Sequence, residues 1–291
     1  MSDQGYYGRP IVKPPSWTDL IPLYFFAGGM SGAAATLGLA ERLAGNERLA
    51  RPLVLGAGLG SAVSAFCLIA DLKKPERFLN MLRVFKPTSP MSVGVYIFSA
   101  FGGSVMIAAG SELTGIARPA GRFFAGIAGL IGPIMSVYTA VLVGDTVIPA
   151  WRLPKKSLPA LFAATSASSA GAFGLLFAPA RANGSARRLA IAGGLATIAA
   201  LESLHHEIGP AQDDAYRKGP AGKLAQAARV CNIAGIACAV LAKDSEVLSK
   251  VAGALLLAGG LAERFAVYRA GDASAKDPKY VLDSQSEARA R

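Results

Sequence analysis

Cysteine, histidine and charge are all scarce in this sequence, and each scarcity closes off a class of chemistry. The three cysteines, Cys67, Cys231 and Cys238, form no C-x-x-C pair and no set of four thiolates, so the chain by itself holds neither an iron–sulfur cluster nor a structural zinc. They read as small buried hydrophobes. The two histidines, His205 and His206, are neighbours whose side chains diverge by about 100° on a helix. That excludes a haem held between two axial histidines. There is no P-loop, no G-x-G-x-x-G after a strand and no nucleophile triad. The runs GGMSG and GAGLG lie inside apolar segments, where close helix packing accounts for glycine. Charged residues make up only 17%, and the net charge of +11 sits at the edges of apolar segments instead of on a soluble basic face, which argues against nucleic acid as a partner. Neither the ten-residue alternation of a membrane barrel nor a secretory leader pattern is seen. The first apolar run is therefore expected to be retained.

What the chain has in abundance is apolar length. Of its 291 residues 52% are hydrophobic, and the mean hydropathy is +0.39, beyond the range of an ordinary soluble domain. Apolar stretches long enough to cross a roughly 30 Å hydrocarbon core fall near 20–40, 52–71, 91–111, 123–149, 157–178, 187–206, 224–242 and 247–268. The sequence thus predicts an all-α integral membrane protein, a single transmembrane domain over residues 1–291 with eight helices. Runs such as AGGMSGAAA and SASSAGAFG supply the small residues that let membrane helices approach closely.

Ionisable residues distribute unevenly along these spans. Lys and Arg are more numerous on the face that holds both chain ends and the connections after the second, fourth and sixth spans. We call this the terminal face, and the positive-inside rule puts it in the cytoplasm. Polar residues at or within span ends also gather there: Asp19, Asp71, Asp145, Glu202, His205, His206, Glu207, Arg229, Asn232, Glu263 and Arg264. Each alone is consistent with a headgroup-level helix end. Together they place any site in that half of the membrane. Tyr138 and Asp145, seven residues apart, are expected to share one face of the fourth span, a phenol donor and a proton acceptor for a redox-active ring.

One connector stands out. DLKKPERFLNMLRVFKPTSPMSVG, beginning at Asp71, resembles the D-L-G-R-P-x-R-F … F-K-P-x-S-P-M-S segment of the NrfD/PsrC family, the membrane subunits of polysulfide reductase-like and formate dehydrogenase-like molybdoenzyme complexes. IPLYFFAGGMSGAA resembles that family's first helix, SVYTAVLVGDTVIPAW its fourth-helix Y-T-G-x-L-L … P-x-W motif, and ERFAVYRAGDASAKDPKY its closing helix and tail. The resemblance implies eight helices in two four-helix bundles, with a quinone, menaquinone or ubiquinone, held in the first bundle and no haem or iron–sulfur cluster in this chain. The implied partners are a four-cluster, ferredoxin-like iron–sulfur subunit and a molybdopterin catalytic subunit in a respiratory chain of a bacterial plasma membrane. The family's fourth-helix tyrosine corresponds to Tyr138. Its first-helix contact falls near Asp19 to Tyr24, where some members use a histidine and this sequence has none, so that Asp19 or Tyr24 takes that place. Ala140 stands where the motif has glycine. Asp145, Asp71 and Glu202 become candidates for proton relay, and Lys73, Lys74, Pro75, Arg77, Arg83 and Lys86 for partner docking. Two other readings stay open: an anchor without redox role, and a proton-translocating subunit conducting through Glu202, His205 and Glu207.

Overall fold

A computed structural model describes residues 11–280 apart from 73, 84 and 244. Its long helices are α1 (Leu20–Leu43), α2 (Glu47–Ala70), α3 (Pro90–Thr114), α4 (Arg118–Gly144), α5 (Ser157–Phe177), α6 (Gly184–Glu207), α7 (Gly219–Ala242) and α8 (Glu246–Lys276). All except α6 are long and apolar enough to cross a bilayer. The α6 helix has the length, 24 residues, but Arg187 and Arg188 at one end and Glu202, His205, His206 and Glu207 at the other dilute its apolar stretch. Among the described residues no strand occurs.

The helix termini follow local chemistry. Ser89 caps α3, its hydroxyl accepting from the Ser92 amide, with Pro90 in the first turn, and Gly115 closes the helix in the left-handed conformation at φ 73°. Two helices that begin at the terminal face are tied at or just before their first turn to carboxylates from elsewhere in the chain. Asp71, just past α2, accepts from the Thr18 amide at 2.9 Å and the Thr18 hydroxyl at 2.6 Å, ahead of α1. Glu207, ending α6, accepts from the amides of Lys156 and Ser157 at 3.3 and 3.0 Å at the start of α5. Both carboxylates lie against the positive end of a helix dipole.

The α1 helix packs against α2, α4 and α5; α3 lies against α2 and α4; α5 packs on α6 and α8; and α7 pairs with α8. The α1–α4 seam shows why glycine is needed. A methyl on Gly32 would sit 2.5 Å from the Gly132 carbonyl oxygen. Pro133 inside α4 has no N–H to give, which leaves the Gly129 carbonyl without its helical donor, and the Thr36 hydroxyl of α1 supplies one at 2.9 Å. Ser136 returns the favour, donating to the Gly29 carbonyl at 3.2 Å. Large apolar side chains such as Phe66, Leu130 and Phe123 point away from the core, as lipid contact requires.

Candidate functional site

The cavity best built for a ligand lies at the terminal end of α1–α4. It measures about 100 Å³ and is walled by Tyr24 and Phe25 of α1, Leu68 of α2, Gly94 and Phe98 of α3, and Tyr138 of α4, with Trp17 and Asp71 at its mouth. The hydroxyls of Tyr24 and Tyr138 are hydrogen-bonded to each other. Both rings are buried, so each phenol satisfies the other in a wall that is otherwise mostly apolar. The Phe98 ring stands edge-on to Tyr24 with centroids 6.2 Å apart.

Tyr138 is held by the Tyr24 hydroxyl of α1 and by the backbone of α3. Its ring lies against Gly94, where an added methyl would come within 2.9 Å of Cε2. Asp71 presents an anchored carboxylate: Oδ1 takes both Thr18 bonds, and no bond to Oδ2 occurs among the described residues. Trp17 stacks on Trp151 at 5.7 Å, Trp151 on Tyr268 at 6.3 Å, and the Tyr268 hydroxyl donates to the Trp17 carbonyl at 2.5 Å. Trp151 itself is fully buried and donates from Nε1 to the Val267 carbonyl at 2.8 Å. The mouth of the cavity is thus tied to α8.

The matching family model is that of the polysulphide reductase NrfD, which covers residues 11–204. The chain belongs to the NrfD family. Every residue of the cavity falls inside the matched region. NrfD proteins are membrane anchors of molybdoenzyme complexes, so this chain is a membrane subunit of such a complex. No curated protein matches the sequence at a significant level.

Within this NrfD fold the residues singled out in the sequence separate into groups. Tyr24, Tyr138 and Asp71 come together in the cavity. Asp19 does not: it is exposed and binds Arg269 of α8 through both oxygens, at 2.6 and 2.8 Å. Asp145, whose N–H still bonds the Val141 carbonyl at the end of α4, is not among the residues that line the cavity either. In the connector, Pro75 opens a single 3-10 turn, and Lys74, Pro75, Arg83 and Lys86 are exposed. Lys73 lies outside the described residues, and Arg77 is described only by its backbone in that turn. The connector is held on α3 by Tyr96, which donates to the Leu82 carbonyl at 2.9 Å and meets Phe85 edge-on at 4.9 Å.

Glu202 is remote from the cavity and pairs with Arg229 at 3.5 Å. Near them a cleft of about 20 Å³, room for about one water, is lined by Thr165, Thr197, Asn232 and the buried Glu263. His205 is bonded to Asp213, which also holds Arg217. Arg264, fully buried, donates from Nη2 to the Phe162 carbonyl at 2.9 Å and lies 3.6 Å over the Phe162 ring.

Sequence reasoning missed Thr18, Trp17 and Tyr96. Trp17 had an interfacial aromatic's position as its only signal, whereas the partners of Thr18 and Tyr96 are set by how a basic connector folds back, which no periodicity encodes.

Proposed function

We propose that the chain is the quinone-reactive subunit of its molybdoenzyme complex, with eight spans in two four-helix bundles, lying in the plasma membrane of a bacterium with both ends in the cytoplasm. Electrons pass between a quinone in the α1–α4 cavity and an iron–sulfur subunit docked on the terminal face, and from there to a molybdopterin subunit of the formate dehydrogenase or polysulfide reductase type. The observation that carries this reading is the meeting of the Tyr24 and Tyr138 hydroxyls inside an otherwise apolar cavity with Asp71 at its mouth.

A quinone supplies two-electron, two-proton chemistry, its quinol form losing both protons as it gives up two electrons. The chain's residues serve that chemistry in separable ways. Of the two phenol hydrogens, one is used between the rings and the other is left to donate to a carbonyl oxygen. Apolar walls from Phe25, Leu68 and Phe98 exclude water and favour a planar ring. The free Oδ2 of Asp71 accepts a proton at the mouth. With no cluster ligands and no pair of haem ligands in the sequence, electrons go directly to the partner. Lys74, Arg83 and Lys86, exposed on the same face, would dock an acidic surface.

The chain carries its own reporter. Of its only two tryptophans, Trp17 lines the cavity and Trp151 stacks behind it, so a quinone entering quenches the fluorescence of the pair. The test is purification with partners in mild detergent, followed by molybdenum analysis, quinone extraction and a quenching titration. Quinone that co-purifies in proportion to protein and quenching that weakens in Tyr138→Phe support the proposal. A molybdenum-containing complex with no quinone and no quenching would leave an anchor only.

A proton-translocating role has one observation in its favour, the buried Glu263 facing Asn232 and Thr197. Vesicles of the complex would then release more protons than quinol oxidation accounts for.

A further inference from the structure

The cavity holds a ring system but has no length for the polyisoprenoid tail that membrane quinones carry. A second space lies immediately beside it. Between α3 and α4 runs an open cleft of about 470 Å³, walled by Val93, Ile97, Ile134, Val137 and Val141, with Pro90 at its end. Ile134 and Val141 are exposed, so the cleft opens where lipid would lie. Two residues belong to both spaces: Gly94 and Tyr138. The partition between ring cavity and cleft is therefore the Tyr138 ring resting on the bare backbone of Gly94, a contact that even one methyl would disturb.

We propose, resting on the quinone reading above, that the α3–α4 cleft is the doorway through which a quinone enters from the bilayer and the berth of its isoprenoid tail, with the Tyr138 ring over Gly94 as the door. Three features support it. The walls of the cleft are mostly aliphatic, with Thr88 and Tyr138 as the polar side chains among its lining residues, and suit a polyprenyl chain. The cleft joins the cavity at the phenol meant for the quinone oxygen, so a bound ring would place its tail outward without a turn. The door makes one side-chain hydrogen bond, to the Tyr24 hydroxyl, so a χ1 change of Tyr138 would have no other to break. Glycine at 94 leaves the space into which the ring closes.

The reporter tryptophans again give the readout, in stopped-flow quenching on the subunit in nanodiscs, with a tailless naphthoquinone and with one bearing a long isoprenoid tail. Val141→Phe and Ile134→Phe fill the cleft from its exposed rim, leave the ring cavity untouched and add no tryptophan to the reporter pair. They are expected to slow association of the tailed quinone by about an order of magnitude while the tailless one binds as in the unaltered protein. Gly94→Val, which fills the partition itself, is expected to slow both. The comparison set is Leu72→Phe and Met91→Phe, at residues that line the cavity towards α2. If these slow the tailed quinone and the cleft variants do not, entry runs between α2 and α3 and the proposal is overturned. If the cleft variants leave tailed and tailless quinones alike, the cleft holds only lipid acyl chains, which equally overturns it. Absence of quenching by either quinone in the unaltered protein would instead refute the quinone reading on which the proposal rests.

Discussion

The bond between Tyr24 and Tyr138 makes the two hydroxyls one unit, and a double-mutant cycle tests that directly. Tyr24→Phe or Tyr138→Phe leaves the other phenol buried without its partner, at a cost of about 1–3 kcal/mol. The double variant removes both polar groups, so its stability should recover towards that of the original protein, giving a coupling of about 1 kcal/mol or more. Ligand binding should follow a matching logic. If the pair offers a single donor to the quinone oxygen, losing it forfeits one neutral hydrogen bond, about 0.5–1.5 kcal/mol, or roughly 2- to 13-fold in Kd. Tyr138→Phe shows the full loss, and adding Tyr24→Phe makes it no worse. Thermal unfolding in detergent reads the first cycle, and quenching of Trp17 and Trp151 by a naphthoquinone analogue reads the second. Fold-changes that multiply in the double variant would mean two independent contacts and refute the single-donor reasoning. No change in either single variant would remove the phenols from the site.

Other expectations follow from particular contacts. Asp71→Asn keeps an acceptor for Thr18 and should leave thermal stability nearly unchanged while slowing quinol oxidation by the assembled complex; Asp71→Ala loses both Thr18 bonds as well, costing about 1 kcal/mol. Gly271→Ala puts a methyl into the Trp151 ring, and should both destabilise the fold by about 1–3 kcal/mol and shift the emission of the Trp17–Trp151 stack. At Glu207 burial works to raise the carboxyl, but the hydroxyl and amide of Ser157 and the amide of Lys156 outweigh it and hold it below its ordinary value. Its contribution is therefore complete above the usual carboxylate range, about 4.3, and is lost as pH falls through the depressed value. In pH-dependent unfolding, Glu207→Gln should flatten that acid limb, and an unchanged acid limb would show that the cap contributes nothing.

Much of this architecture can be read from the chain because apolar length is a strong signal. The seven helices that qualify as spans sit where windows of about twenty apolar residues put them, and the connector motif pointed to the family that the matching model shows. Legibility fails at α6, whose ends are charged, and wherever the decisive contact joins distant segments. The share of the site that could be read was the part with its own local signal: Tyr138 in a helix motif, Tyr24 at a helix start, Asp71 at a helix end. What could not be read was which carboxylate faces inward. Asp19, Asp71 and Asp145 look alike in sequence, all at span ends on one face. The fold distinguishes Asp19 and Asp71 through Arg269 and Thr18, neither of which is near in sequence to the carboxylate it decides, and Asp145 does not line the cavity.

The two carboxylates that tie helix starts across the fold also bear on the proposal that the chemistry falls in the first half. Asp71 stands to the start of α1 as Glu207 stands to the start of α5, each at the end of the following helix and each turned on the positive end of a dipole. Their occupancy differs. Glu207 spends both oxygens, Oε1 on the Lys156 amide and Oε2 on the amide and hydroxyl of Ser157, so protonating it costs the cap. Asp71 concentrates its bonds on Oδ1, so a proton on Oδ2 leaves the cap in place. A carboxylate that can change charge while still holding its helix is suited to a proton-transfer step, whereas one that cannot is suited to structure. That asymmetry sits beside the phenol pair in one half and beside a helix junction in the other, which fits the proposal that proton exchange and quinone binding share one end of α1–α4.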